Sequence, residues 1–95
     1  MRIKQYFFPL IIFLLVSCSS HASNYDRGNA FLNIGQYEQA ITEYTRAIEL
    51  DPEYAEAYYR RGLVYKQLWK CSDANSDFLE AYTISGDIIY KDTCP

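Results

Sequence analysis

Residues 35–52 read Gly35-Gln36-Tyr37-Glu38-Gln39-Ala40-Ile41, then Thr42 to Arg46, then Ala47-Ile48-Glu49-Leu50-Asp51-Pro52. Tyr37, Ala40, Ile41, Tyr44, Ala47 and Ile48 fall at steps of 3 and 4, one apolar stripe of an α-helix. Gly35 stands where a helix ends in the left-handed conformation. Asp51 and Pro52 stand where a cap and first turn would open the next helix. The stretch therefore reads as the second arm of a helical hairpin with a defined beginning and end.

Sliding the chain against itself by 34 residues extends this reading. Tyr25 meets Tyr59, Arg27 meets Arg61 and Gly28 meets Gly62. Phe31 meets Tyr65, Ala40 meets Ala74, Tyr44 meets Phe78 and Ala47 meets Ala81. A fixed period of this length is the mark of a stacked-hairpin architecture. Gly28 and Gly62 are expected where two helices approach most closely, with Ala40 and Ala74 small for the same reason. Phe31, Tyr44, Tyr65 and Phe78 then fill the space beside them.

The pattern resembles the tetratricopeptide repeat. One unit carries Asn24, Arg27, Gly28, Phe31, Ala40, Tyr44, Ala47 and Pro52. The other carries Tyr58, Arg61, Gly62, Tyr65, Ala74, Phe78 and Ala81, with Gly86 in place of the closing proline. The resemblance implies an all-α fold: two helical hairpins stacked as a short right-handed solenoid, plus a short C-terminal capping helix. The expected helices span 24–34, 37–50, 53–69, 72–84 and 88–93. Repeat units of 25–54 and 55–88 follow, with a cap at 88–95. Trp69 and Cys71 replace the turn Gly and Tyr of the first unit, so that second turn departs from the pattern.

Ahead of the repeats lies a different kind of segment. Arg2 and Lys4 precede the eleven apolar residues Tyr6–Val16, which as a helix would reach roughly 16 Å, too short for a bilayer core of ~30 Å. A positive start, a short apolar run and small residues form the secretory-signal pattern. Leu15-Val16-Ser17-Cys18 resembles the lipobox of bacterial lipoproteins. That resemblance implies a signal peptide over 1–17, a diacylglyceryl group on the Cys18 sulfur, cleavage before Cys18 and acylation of the new amino group. Two or more chains give stable anchoring, and Ser19 favours the outer membrane, facing the periplasm. Residues 18–24 would be a polar lipidated tether, with His21 unstructured in it.

Composition fits a binder better than a catalyst. The chain has 95 residues, room for one small domain. Its 12 acidic residues outnumber 9 basic ones, which argues against a nucleic-acid partner. A single His leaves nothing for triad or multi-His metal chemistry, and no Gly-rich phosphate loop occurs. No cofactor, metal site or catalytic group is expected. Asp73, Asp77 and Glu80 share one helix side and read as a solvated acidic face.

In tetratricopeptide proteins the first helix of each unit lines a concave, peptide-holding groove. Here that implies Tyr25, Asn29, Leu32 and Asn33 from one unit, and Tyr59, Arg60, Leu63, Lys66 and Gln67 from the other. The carboxylate clamp of chaperone-binding members is not matched, because Arg60 replaces an Asn and no third unit exists. With Cys18 assigned to lipid, an export signal implies an oxidising compartment for Cys71 and Cys94. A disulfide between them would close a loop of 24 residues, for roughly 3 kcal/mol in a chain-entropy estimate. A buried thiol at Cys71 and an intermolecular link through Cys94 stay open as alternatives. The function expected is a lipid-anchored, non-catalytic scaffold for a protein or peptide partner at the bacterial envelope. The alternative is a self-associating structural subunit, a homo-oligomer.

Overall fold

The computed structural model describes residues 21–95; the expected signal segment and Cys18 lie outside them. The described residues form α1 (21–33), α2 (Tyr37–Leu50), α3 (Ala55–Gln67), α4 (Cys71–Ser85) and a closing 3-10 turn at Ile88–Tyr90. Among the described residues there is no strand. The α1/α2 and α3/α4 hairpins stack into a short solenoid, as the 34-residue period implies. No helix among them is long and apolar enough to cross a membrane.

Each hairpin nests through a glycine and an aromatic ring. A Cβ built on Gly28 would lie 2.5 Å from Tyr44 Cε1, and one on Gly62 would lie 2.6 Å from Phe78 Cε1. Both distances are well inside contact, so each ring lies flat on bare backbone. Tyr44, Phe78, Ala40, Ala47, Ala57, Val64, Ala74 and Ala81 are all buried. Burying a side chain such as Phe78 contributes about 1.5–3 kcal/mol.

The first helix of each hairpin ends in the same way. Gly35 N–H donates to the Leu32 carbonyl at 3.1 Å, and Gln36 N–H to that of Phe31 at 2.9 Å. Trp69 N–H donates to Lys66 at 3.1 Å, and Lys70 N–H to Tyr65 at 2.9 Å. These are two Schellman motifs, which need a left-handed residue after the helix. Gly35 supplies it at φ 75° and Trp69 at φ 58°. The departure at Trp69 changes the residue but not the turn.

Several boundaries differ from expectation. Asp51 does not cap α3. Its carboxylate accepts from Glu53 N–H at 3.2 Å while Tyr54 N–H reaches the Asp51 carbonyl at 3.1 Å. Pro52 sits inside this turn, and α3 begins at Ala55. At the other end Asp87 does cap, accepting from Ile89 N–H at 3.2 Å, but the last element is one 3-10 turn rather than a helix over 88–93. The tether expected over 18–24 is already helical from residue 21. His21 is not loose there, because its ring meets Tyr54 edge-on at 5.5 Å.

Asp77 is corrected too: it is buried, not part of a solvated face. Arg61 Nε and Nη2 donate to its two oxygens at 2.8 Å each, and Arg61 Nη1 donates to Thr45 Oγ1 at 3.0 Å. One guanidinium thereby ties α3 to both α4 and α2. One period earlier, Arg27 Nε and Nη2 donate to Glu43 Oε2 at 3.2 and 2.9 Å.

Candidate functional site

The first helices α1 and α3 supply the nine residues expected to line a concave face, and the structure divides them into three groups. Tyr25, Asn29 and Arg60 come together. Tyr25 is buried, with its ring 5.8 Å from Tyr44 and 5.1 Å from Tyr54. Asn29 accepts a hydrogen bond from the Tyr44 hydroxyl. Arg60 reaches the Tyr25 hydroxyl from α3. Leu32 packs against the first core cluster.

A second group lies under the C-terminal segment. The Tyr59 ring is 5.6 Å from Phe78 on one side and 5.1 Å from Tyr90 on the other. Leu63 packs into a cluster with Ala74, Phe78 and Cys94. Lys66 Nζ donates to Asp92 Oδ1 at 3.2 Å. The third group, Asn33 and Gln67, is exposed at the helix ends.

Charge sharpens the first group. Arg60 is half-buried, and its Nε has no hydrogen-bond partner. The ion pairs among the described residues use Arg27, Arg46, Arg61 and Lys66, not Arg60. Burial works against the Arg60 charge, but the hydrogen bond to Tyr25 and the pull of Tyr25, Tyr44 and Glu56 outweigh it, so its pKa is raised. Burial also raises the Tyr25 hydroxyl, with Glu56 adding to this and Asn29 and Arg60 opposing it. This face of α1 and α3 therefore holds a cation outside the ion pairs of the described residues, with Glu56 acting on it at longer range, framed by a tyrosine and an amide.

Cys71 and Cys94 are joined by a disulfide with Cα atoms 5.1 Å apart. Asn75 flanks it. Its Nδ2 donates to the Cys94 carbonyl at 3.2 Å, and Cys94 N–H donates to its Oδ1 at 2.7 Å. Asn75 stands one period after Ile41, a departure visible in the sequence, but its bonds to the Cys94 backbone could not be read from that. Sequence reasoning missed the Arg27–Glu43 and Arg61–Asp77 pairs, although the match of Arg27 to Arg61 at the repeat period was a usable signal. Among the described residues no group of three or more His, Cys, Asp or Glu could hold a metal ion.

A family model for the TPR repeat matches residues 28–68. Serine/threonine-protein phosphatase T of Aspergillus oryzae is 40% identical over 53 residues, 56% of this chain and 11% of that protein. Tetratricopeptide repeat protein 16 of Homo sapiens is 33% identical over 63 residues, 66% of this chain and 7% of that protein. An uncharacterized protein of Methanocaldococcus jannaschii is 27% identical over 67 residues, 70% of this chain and 78% of that protein. The chain thus spans only a small part of the phosphatase and of the human protein.

Proposed function

We propose that this chain is a non-catalytic scaffold whose concave α1/α3 face holds an extended, acidic peptide segment of a partner protein. TPR repeats serve protein–protein interaction, which supports the class of function. The observation that carries the finer reading is Arg60, a half-buried guanidinium that enters no ion pair among the described residues and whose Nε has no hydrogen-bond partner, beside Tyr25 and Asn29. An incoming carboxylate would complete its hydrogen bonding, and charge-assisted bonds of this kind are among the stronger ones. Titration of the chain with an acidic peptide, against a peptide whose acids are replaced by amides, tests it. Binding of the acidic peptide that weakens at least tenfold in Arg60→Glu supports the reading. Equal binding by wild type and variant overturns it.

We place this scaffold at a bacterial envelope, held by lipid on Cys18 and, from Ser19, in the outer membrane facing the periplasm. The Leu15-Val16-Ser17-Cys18 box after a short apolar run supports that placement. Cys18→Ser should leave an unprocessed precursor without lipid label; unchanged labelling would reject it. Self-association through the outer face of α4 is the second reading. Leu79 and Tyr82 are exposed there beside a cleft of about 380 Å³. Sedimentation that stays monomeric at tens of micromolar would end that reading.

A further inference from the structure

The C-terminal segment covers part of the surface that the repeats would offer to a peptide. Its 3-10 turn contributes no buried residue, so it is not held by a core of its own. Instead it lies along α3 and α4, turning at Lys91 where Asp92 N–H donates to the Tyr90 carbonyl at 2.9 Å, and uses three different contacts. The Tyr90 ring packs on Tyr59 at 5.1 Å. Two residues on, the Asp92 carboxylate meets Lys66 at 3.2 Å. Two further on, the backbone of Cys94 is bracketed from both sides by the Asn75 amide. A side-chain amide that satisfies one backbone N–H and one C=O reads main chain without regard to sequence. An aromatic seat and a cation read side chains. Together they form a recognition surface with an occupant.

We infer that residues 90–94 are a tethered occupant of a second peptide site, and that the Cys71–Cys94 disulfide gates it. The site takes a peptide with an aromatic residue, a carboxylate two positions later across a tight turn, and free main chain two positions after that. This inference rests on the reading of the concave face as a peptide surface, but it uses Tyr59, Lys66 and Asn75 rather than Arg60. While the disulfide is closed, the tail's effective concentration excludes a partner peptide. Opening it requires a dithiol reductant. Cys71 is half-buried and Cys94 buried, so the attacking thiolate bonds to Cys71 Sγ and Cys94 leaves as a thiolate that takes up a proton. The reductant's second thiol then resolves the mixed disulfide and frees Cys71 as a thiol. The protein gains two electrons and two protons, and the dithiol becomes a disulfide.

The test is binding of a fluorescent peptide copying residues 88–95, with serine in place of Cys94, to the full chain, oxidised and reduced, with helicity followed by circular dichroism. Binding at least tenfold tighter after reduction, and in Cys94→Ser, is expected, with helicity retained. Peptides lacking the Tyr90 ring or the Asp92 carboxylate should lose at least fivefold, and Lys66→Glu should do the same from the protein side. Equal binding in both redox states, or none in the reduced helical chain, overturns the inference. Loss of helicity on reduction also overturns it, because the bond would then be a structural staple. Arg60→Glu separates the two sites: it should weaken acidic-peptide binding at least tenfold while costing the tail copy less than fivefold.

Discussion

The two hairpins share a period and a turn but solve their packing differently. In the first, Tyr44 lies on Gly28 and its hydroxyl finds Asn29. One period on, Phe78 lies on Gly62, and the position of Asn29 is taken by Leu63, which packs in the apolar cluster with Phe78. The loss of the hydroxyl and the loss of its acceptor go together. The ion pairs differ in the same direction. The Arg27 side chain is 56% exposed opposite Glu43, whereas Arg61 is 17% exposed opposite Asp77. Among the described residues, α3 packs on the far side of the first hairpin and the bonded tail packs on the second. The first is therefore the wetter unit at its pair, and the second carries the deeper electrostatic commitment.

The largest test of this contrast is removal of one acid from each pair. Breaking a buried pair leaves an uncompensated charge and costs about 3–5 kcal/mol, so Asp77→Ala should cost that much in urea unfolding. Glu43→Ala should cost about 1 kcal/mol, because Arg27 returns to water. Equal losses would erase the distinction. Next come the glycines. Gly28→Ala and Gly62→Ala each force an aromatic ring off the backbone, an overpacking cost of about 1–3 kcal/mol. Alanine's better helix propensity, by about 1 kcal/mol, offsets part of it. A gain in thermal midpoint at either position would contradict the nesting described above.

A smaller effect separates the aromatics themselves. Tyr44→Phe should cost about 1 kcal/mol, the net worth of one hydrogen bond. Tyr44→Phe combined with Asn29→Leu copies the second unit and should recover part of that loss. At the turns the sign reverses. Trp69→Gly should stabilise by about 1 kcal/mol, since a side chain in the left-handed region costs about that much and this one is 84% exposed. Gly35→Ala should destabilise by a similar amount. Both are read from denaturant midpoints.

The smallest effect at neutral pH is also the most specific. Burial, with neighbouring Tyr25 and acids, pushes the Tyr54 hydroxyl up to about 12, and burial raises Tyr44 as well. A phenol with a raised folded pKa contributes stability that is intact below its unfolded value near 10 and lost as pH climbs towards 12. The thermal midpoint should hold level to pH 9 and then fall. Tyr54→Phe should flatten that fall.

These features were unequally legible in the sequence. The glycine–aromatic register and the left-handed Gly35 could be read, because each depends on one residue's size or backbone freedom. The start of α3 at Ala55 could not, since Asp51 and Pro52 suit a turn and a helix cap equally well. The fate of Asp77 was hidden for another reason. Its partner lies sixteen residues away on an antiparallel helix, a spacing that no single-helix rule inspects. Tyr59, Leu63 and Lys66 were expected to line a groove from α3, but the return of the chain over them depends on a tertiary path that local pattern does not encode.

The indole at the second turn has one more consequence. It is the chain's sole tryptophan, and it stands in solvent next to Lys66, Gln67, Cys94 and Pro95 at the mouth of a small cleft. At 84% exposure its emission should be that of a hydrated fluorophore, so melting the helices should barely move the spectrum. Loosening the C-terminal residues should alter its intensity instead. The molecule thus has a native optical reporter that ignores the core and watches the tail.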